Sequence, residues 1–352
     1  MTISPQELDT LRDSLRDLLG AGRPDVAPMP DPGWKARWPA LVELGVLALC
    51  ASEDVGGFGN EVIPALLVSR ELGAALDGSP FAASVAATYA ITRWLEPVER
   101  RRELANAILS GNHIPVLAFL DPGSTIAGEV RVNGRAHLVT GVDHCDSFLL
   151  VAPGHDTMTF VPRSDRCAAG SMQTFDVSRS CADVLFRDAP ALPVRSVAAD
   201  RERTERLHGL LLAGDAIGGV ELMLERTTAY TRERKAFGKV VGGFQAVQHR
   251  IVDHELRVRG AALVVSDAAE RMTADAPDAD RQALLAEAAV TLNAVSLLHD
   301  LLQLTGAIGF TWDYGLHFYE RRAHLDARLG RNPRQALRSL APRAGWPQIR
   351  GW

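Results

Sequence analysis

The chain has 352 residues, 47% of them hydrophobic and 23% charged, with a formal net charge of −5. That length allows two or three compact regions around a substantial core, and the composition is ordinary for a soluble globular protein. The slightly acidic balance argues against nucleic acid and anionic membrane surfaces as partners. The opening stretch MTISPQELDTLRDSLRDLL is charged and amphipathic. Its Leu8, Leu11, Leu15, Leu18 and Leu19 recur at three-to-four spacing, which predicts a helix over 5–19. It lacks the apolar core of a secretory signal, and no apolar run reaches the roughly 18 residues that cross a bilayer, so a cytoplasmic, non-membrane protein is expected.

Residues 24–32 are rich in Pro and Asp and read as a linker. WPALVELGVLAL then reads as a buried helix ending near Gly45, followed by a turn through Gly56, Gly57 and Gly59. Residues 61–77, 80–95 and 97–110 are again helical in pattern, closing at Ser110-Gly111-Asn112. There the period changes. HIPVLAFL, GEVRVNGRAHLVTG, SFLLVAP, DTMTFVP and ADVLFRD are short β-branched or alternating runs between Gly, Pro, Asn and Asp. Asn133-Gly134 between two such runs predicts a hairpin turn. After Asp200 long helical patterns return over 203–233, 244–272, 278–305 and 313–328. In the third, Leu285, Ala288, Ala289, Leu292, Val295 and Leu302 read as the apolar stripe of an antiparallel bundle.

The expected class is α+β: an N-terminal helical domain over 1–112, an antiparallel β domain over 113–200, a C-terminal four-helix bundle over 201–342, and a tail at 343–352. Cys50, Cys145, Cys167 and Cys181 lie far apart, without a CxxC pair or a His at ligand spacing. Neither a metal site nor a disulfide framework is expected from them.

Two stretches carry chemistry. In YTRERKAFGKVVGGFQAVQHRIVD (230–253), Arg232, Arg234 and Lys235 taken alone are a basic helix end that complements the helix dipole. With Gly238, Gly242, Gly243 and Gln245 they also offer guanidinium and amide donors to a pyrophosphate. In LLQLTGAIGFTWDYGLHFYERRA (301–323), Gln303 stands in the last turn of an apolar helix that Gly306 and Gly309 interrupt. Those glycines suit either a helix C-terminus or a close backbone approach to a ligand.

Together these stretches resemble the acyl-CoA dehydrogenase signatures RxxFG…Q and QxxGGxGF, here Arg234 to Gly238 with Gln245, and Gln303 to Phe310. WPALVELGVLALCASEDVGGFG (38–59) is similar to the family's N-terminal helical stretch, with Ala51-Ser52-Glu53-Asp54 where a Pro-Glu is usual. The resemblance covers nearly the whole chain. It implies an acyl-CoA dehydrogenase fold and FAD as cofactor, with Arg234, Phe237, Gln245, Gln303, Gly306 and Ala307 as cofactor-binding residues, the Arg and Gln of the signatures at the adenosine-diphosphate end. It also implies an acyl-CoA substrate, from which a Glu takes the α-proton while the β-hydride goes to the flavin.

The chain departs from the family pattern in two places. Phe119-Leu120-Asp121-Pro122-Gly123-Ser124 and Gly141-Val142-Asp143-His144-Cys145-Asp146 stand where segments contacting the flavin ring are usual, without their aromatic and hydroxyl. No Glu occupies 325–340, one family position for the base. Counting back about 29 residues from Phe237 to the other position reaches His208, with Glu205 a turn earlier, so these two are the catalytic candidates. Asp215 is a lesser one, equally suited to pair with an Arg. A kept adenosine half and an eroded ring half resemble the shorter subunits of actinobacterial heteromeric acyl-CoA dehydrogenases acting on steroid side chains. The implied partner is a sister subunit. The alternatives are a self-sufficient homodimer or homotetramer using His208 or Glu205, and a non-catalytic scaffold that has lost flavin.

Overall fold

In a computed structural model of the protein, the described residues are 4–20, 33–127, 130–330, 337, 338 and 340. The expected linker at 24–32 and the tail at 343–352 lie outside them. Five helices precede the strands: α1 (Pro5–Leu19), α2 (Trp38–Glu43), α3 (Val62–Ala74), α4 (Phe81–Trp94) and α5 (Val98–Leu109). A reciprocal cap opens α1, where Ser4 N–H donates to the Glu7 carboxylate at 2.7 Å and Glu7 N–H to Ser4 Oγ at 3.3 Å. α2 is shorter than its apolar run, because Gly45 takes a left-handed φ of 73° and turns the chain.

Eight strands follow: β1 (Pro115–Phe119), β2 (Thr125–Ala127), β3 (Arg131–Thr140), β4 (Ser147–Val151), β5 (Met158–Pro162), β6 (Cys167–Met172), β7 (Cys181–Pro190) and β8 (Leu192–Val194). They form two four-stranded sheets, in the orders β1-β4-β5-β8 and β2-β3-β7-β6. Phe148 of β4 meets Phe186 of β7 edge-on at 5.4 Å. Two sequence expectations need correction here. The pairing is antiparallel except between β1 and β4, which run parallel from Pro115↔Ser147 to Phe119↔Val151. Asn133-Gly134 is no hairpin turn; it lies inside β3, where the register against β7 shifts between Val132 and Gly134. Asn133 Oδ1 accepts the Asp188 N–H at 2.8 Å across that bulge, and a Cβ at Gly134 would collide with Ser124.

The remaining helices are α6 (Ala198–Glu233), α7 (Gln245–Thr273), α8 (Ala279–Thr305) and α9 (Leu316–Leu329), and a two-residue ladder, β9 (Lys235–Ala236) with β10 (Lys239–Val240), separates α6 from α7. By internal contacts the chain divides into one unit of 1–11, 32–65 and 78–208, and another of 12–31, 66–77 and 209–352. α6 is long and apolar enough by composition to cross a bilayer, yet its apolar stretch is mostly buried in the fold.

Glycines let α6 lie tightly on α3 in the second unit. A Cβ on Gly218 would strike the Arg70 carbonyl, and one on Gly214 would lie 2.6 Å from Leu66 Cδ1. Between α6, α7 and α8 the core is Ile217, Val220, Val258, Val290, Ala294 and Leu297. The apolar stripe of α8 is rotated from the expected one: Ala288 and Leu302 are buried, but Leu285 is 42% exposed while Leu284, Leu298 and Leu301 face inward. An all-round apolar helix offers several such stripes, and packing against α6 and α9 selects one.

Candidate functional site

α6 ends at Glu233, and the next residue, Arg234, holds the turn in place through its backbone. Its N–H donates to the Tyr230 carbonyl at 2.9 Å, and its own carbonyl accepts the Val241 N–H at 2.7 Å. That closes the β9–β10 ladder and leaves the Arg234 side chain exposed. On the other wall α8 stops where Gly306 takes a φ of 66°, and a 3₁₀ turn follows over Gly306–Phe310. The two walls enclose an open groove of about 390 Å³, lined by Tyr230, Arg234 and Val241 and by the run 303–308. A Cβ built on Gly306 meets nothing within 4 Å, so the backbone there is open to an incoming group.

Arg234, Gln303, Gly306 and Ala307, two sequence motifs about seventy residues apart, thus come together in one groove. Phe237 and Gln245 stand outside its lining. Phe237 is 96% exposed with φ 52°, and Gln245 is the exposed first residue of α7. Tyr230, Val241, Leu304, Thr305 and Ile308 line the groove but were not singled out from sequence. Tyr230 was findable, since it lies in the last turn of α6, four residues before Arg234.

The catalytic candidates are placed differently. His208 is 5% exposed, with its ring 5.9 Å from that of Phe119. Burial, aided by the Arg179 guanidinium, pushes its pKa down to about 4. Glu205 lies 3.2 Å from the Arg201 guanidinium one turn away. Asp215 is a structural partner: Arg322 grips its carboxylate twice, at 2.8 and 2.7 Å, with both residues buried.

The segment 141–146 is occupied by its own bonding. A Cβ on Gly141 (φ 70°) would sit 2.5 Å from Pro80, Arg163 donates to the carbonyls of Val142 and Cys145, and Asp146 accepts the Ile114 N–H at 2.7 Å. His144 packs edge-on against Trp34 at 5.5 Å. Asp121 is taken by His137 Nε2 at 2.9 Å, whose Nδ1 meets Asp183 at 2.7 Å. Among the described residues no cluster of three or more metal-ligating side chains occurs. The groove, with an exposed guanidinium, an exposed amide and open glycine backbone, fits the diphosphate end of FAD. The 141–146 segment offers no comparable set of free donors for the ring.

Residues 5–111 match the family model for the acyl-CoA dehydrogenase N-terminal domain, and 205–331 match that for its C-terminal domain. The acyl-CoA dehydrogenase IpdE2 of Mycobacterium tuberculosis is 30% identical over 343 residues, covering 96% of each chain. The ChsE4–ChsE5 complex from Mycobacterium tuberculosis superposes with a TM-score of 0.83 at 22% identity, over 99% of both chains. The Tcur3481–Tcur3483 steroid ACAD does so with 0.83 at 20%, over 97% of this chain and 98% of that one. At those identities the two structures speak for the fold, whereas the family models and IpdE2 speak for descent. With both terminal domains matched and a relative aligned almost end to end, the chain belongs to the acyl-CoA dehydrogenase family.

Proposed function

We propose that this chain is the cofactor-completing subunit of a heteromeric, soluble cytoplasmic acyl-CoA dehydrogenase. It would offer Arg234, Gln303 and the Gly306-Ala307 backbone to the adenosine-diphosphate end of an FAD shared across a subunit interface. FAD, when bound, supplies the acceptor for the β-hydride of the acyl-CoA thioester. The chain's own share is binding: a guanidinium pairs with a phosphate in a charge-assisted bond, and an open glycine backbone lets the diphosphate approach. The observation that carries this reading is the groove that joins the two distant signature motifs.

A second observation favours the heteromer over a self-sufficient enzyme. A general base works best with a pKa near the operating pH, whereas His208, at about 4, stays neutral and weakly basic. Glu205 is engaged by Arg201. Proton abstraction is therefore assigned to a sister subunit. The ChsE4–ChsE5 structure is itself a complex of two proteins, and the steroid ACAD likeness suggests bulky, steroid-side-chain acyl-CoA esters as the substrate class.

The test is Arg234→Ala in the assembled protein, read as flavin per chain after dialysis and as the affinity for added FAD. Loss of a charge-assisted bond to phosphate should weaken binding by about 1.5–3 kcal/mol. Unchanged flavin content and affinity would return Arg234 to the role of a surface residue at a helix end.

A further inference from the structure

α7 is apolar on two opposite faces. Its inner face carries His254, Val258, Val265, Ala268, Ala269 and Met272, all buried. Half a turn round the helix, Val252, Leu256 and Leu263 recur at spacings of four and seven and are 57%, 65% and 71% exposed. On the same outer face lies Gly260, where an added Cβ would meet nothing within 4 Å, so the stripe has a gap one turn after Leu256. Single exposed apolar side chains need no explanation, but a line of them facing away from the core marks a surface that another molecule covers. The flanks of the stripe carry opposite charges. At 100° per residue the exposed Asp253 falls on one side of Leu256 and Arg259 on the other. Arg259 is 75% exposed and bonds Glu255 through Nε at 2.6 Å, which leaves its terminal nitrogens for a further acceptor.

We propose that this face of α7 binds a second copy of the chain, the two helices lying antiparallel about a twofold axis at Leu256. Such an axis brings each position against the one equally far on the other side of Leu256. Leu256 meets its own counterpart. Val252, four residues before, fills the gap at Gly260, four residues after, and the reciprocal contact forms with it. Asp253, three before, comes beside Arg259, three after, so one acid and one base make two ion pairs across the axis. The helix therefore supplies both halves of a ridge-and-groove contact and both halves of a charge pair. A lipid surface is ordinarily met by an apolar face with basic residues on its polar side, whereas here the flanking charges are one of each sign. This contact does not depend on the groove reading. In the heteromer proposed above it joins two cofactor-sharing pairs into one assembly.

The experiment is analytical ultracentrifugation of the full-length chain over a range of concentrations, with variants that keep the fold. Leu256→Glu sets two carboxylates against each other at the axis and should weaken self-association at least about thirtyfold, the loss expected of a central interface residue. Its thermal midpoint should stay near wild type, because Leu256 is exposed in the single chain. Asp253→Arg and Arg259→Asp should each weaken association about fivefold, and the double exchange should restore it. Leu256→Cys should link copy to copy under a mild oxidant, without background from the four native cysteines, which are all buried. Leu263→Cys should not, since its two positions lie about 21 Å apart along the helix pair. A chain that stays monomeric at every concentration and forms no Leu256→Cys link overturns the proposal. So does a dimer that Leu256→Glu leaves intact. Loss in both single charge variants without recovery in the double rejects the antiparallel pairing. If Leu256→Glu releases an added sister subunit and leaves self-association unchanged, the face belongs to that subunit and the proposal falls.

Discussion

A histidine at a family base position is a base only if it can hold a proton near neutrality, and His208 cannot. In the folded chain its pKa is about 4, against an ordinary 6.5. Above about pH 6.5 the ring is neutral both folded and unfolded and contributes nothing to pH dependence. Between about 6.5 and 4 the unfolded chain takes up a proton that the folded chain refuses, so stability falls as pH falls through that window. The full loss is about 3 kcal/mol, at 1.36 kcal/mol per unit. His208→Phe should flatten this part of the stability curve in urea unfolding between pH 4 and 7. A variant retaining the full slope would show that other groups cause it.

At the scale of elements, the second unit owes its register to a few polar contacts between closely packed helices. α9 is tied to α6 by Arg322–Asp215, and to α3 by the Tyr319 hydroxyl, which donates to the Ala74 carbonyl at 2.7 Å. α3 is tied to α6 again by Arg70, bonded to both Glu221 oxygens at 2.8 and 2.7 Å. The first of these is buried, so its two halves are not equivalent to an absence of both. Asp215→Asn leaves a guanidinium buried without its counter-charge and should destabilise by about 3–5 kcal/mol. Asp215→Leu combined with Arg322→Met removes both charges and should recover much of that loss. Thermal and urea unfolding of the three proteins measures it; a double variant as unstable as Asp215→Asn would mean that the pair itself, not the stranded charge, carries the stability.

For the whole molecule, the expectation is that the chain alone is a poor dehydrogenase. The ring segment is tied up in internal bonds, His208 is buried with its pKa pushed down to about 4, and Glu205 lies against the Arg201 guanidinium. Lack of a general base alone removes about 10²–10⁴-fold in rate. Turnover of several acyl-CoA esters with an artificial electron acceptor should therefore appear only when the sister subunit is added, and His208→Ala should leave it unchanged. Robust turnover by the chain alone, abolished by His208→Ala, would instead favour a self-sufficient homo-oligomer. A colourless assembly with no flavin absorbance would favour the scaffold.

The boundary between what could be read from the residues and what could not follows the range of the interactions. Helix positions were legible because three-to-four spacing and terminal glycines act within a few residues, as in α1 and at Gly306. The switch to strands at His113 was legible for the same reason. Arg234, Gln303, Gly306 and Ala307 were legible as members of two motifs, and Asp215 as a possible partner of an Arg. Tertiary structure decided the rest. It made Asn133-Gly134 a bulge, where the register against β7 shifts between Val132 and Gly134, and it ran β1 parallel to β4. It chose which stripe of α8 faces inward, and it put His208 where burial disarms it. Each of those outcomes depends on desolvation or on a partner far away in the chain, and local pattern carries no record of either.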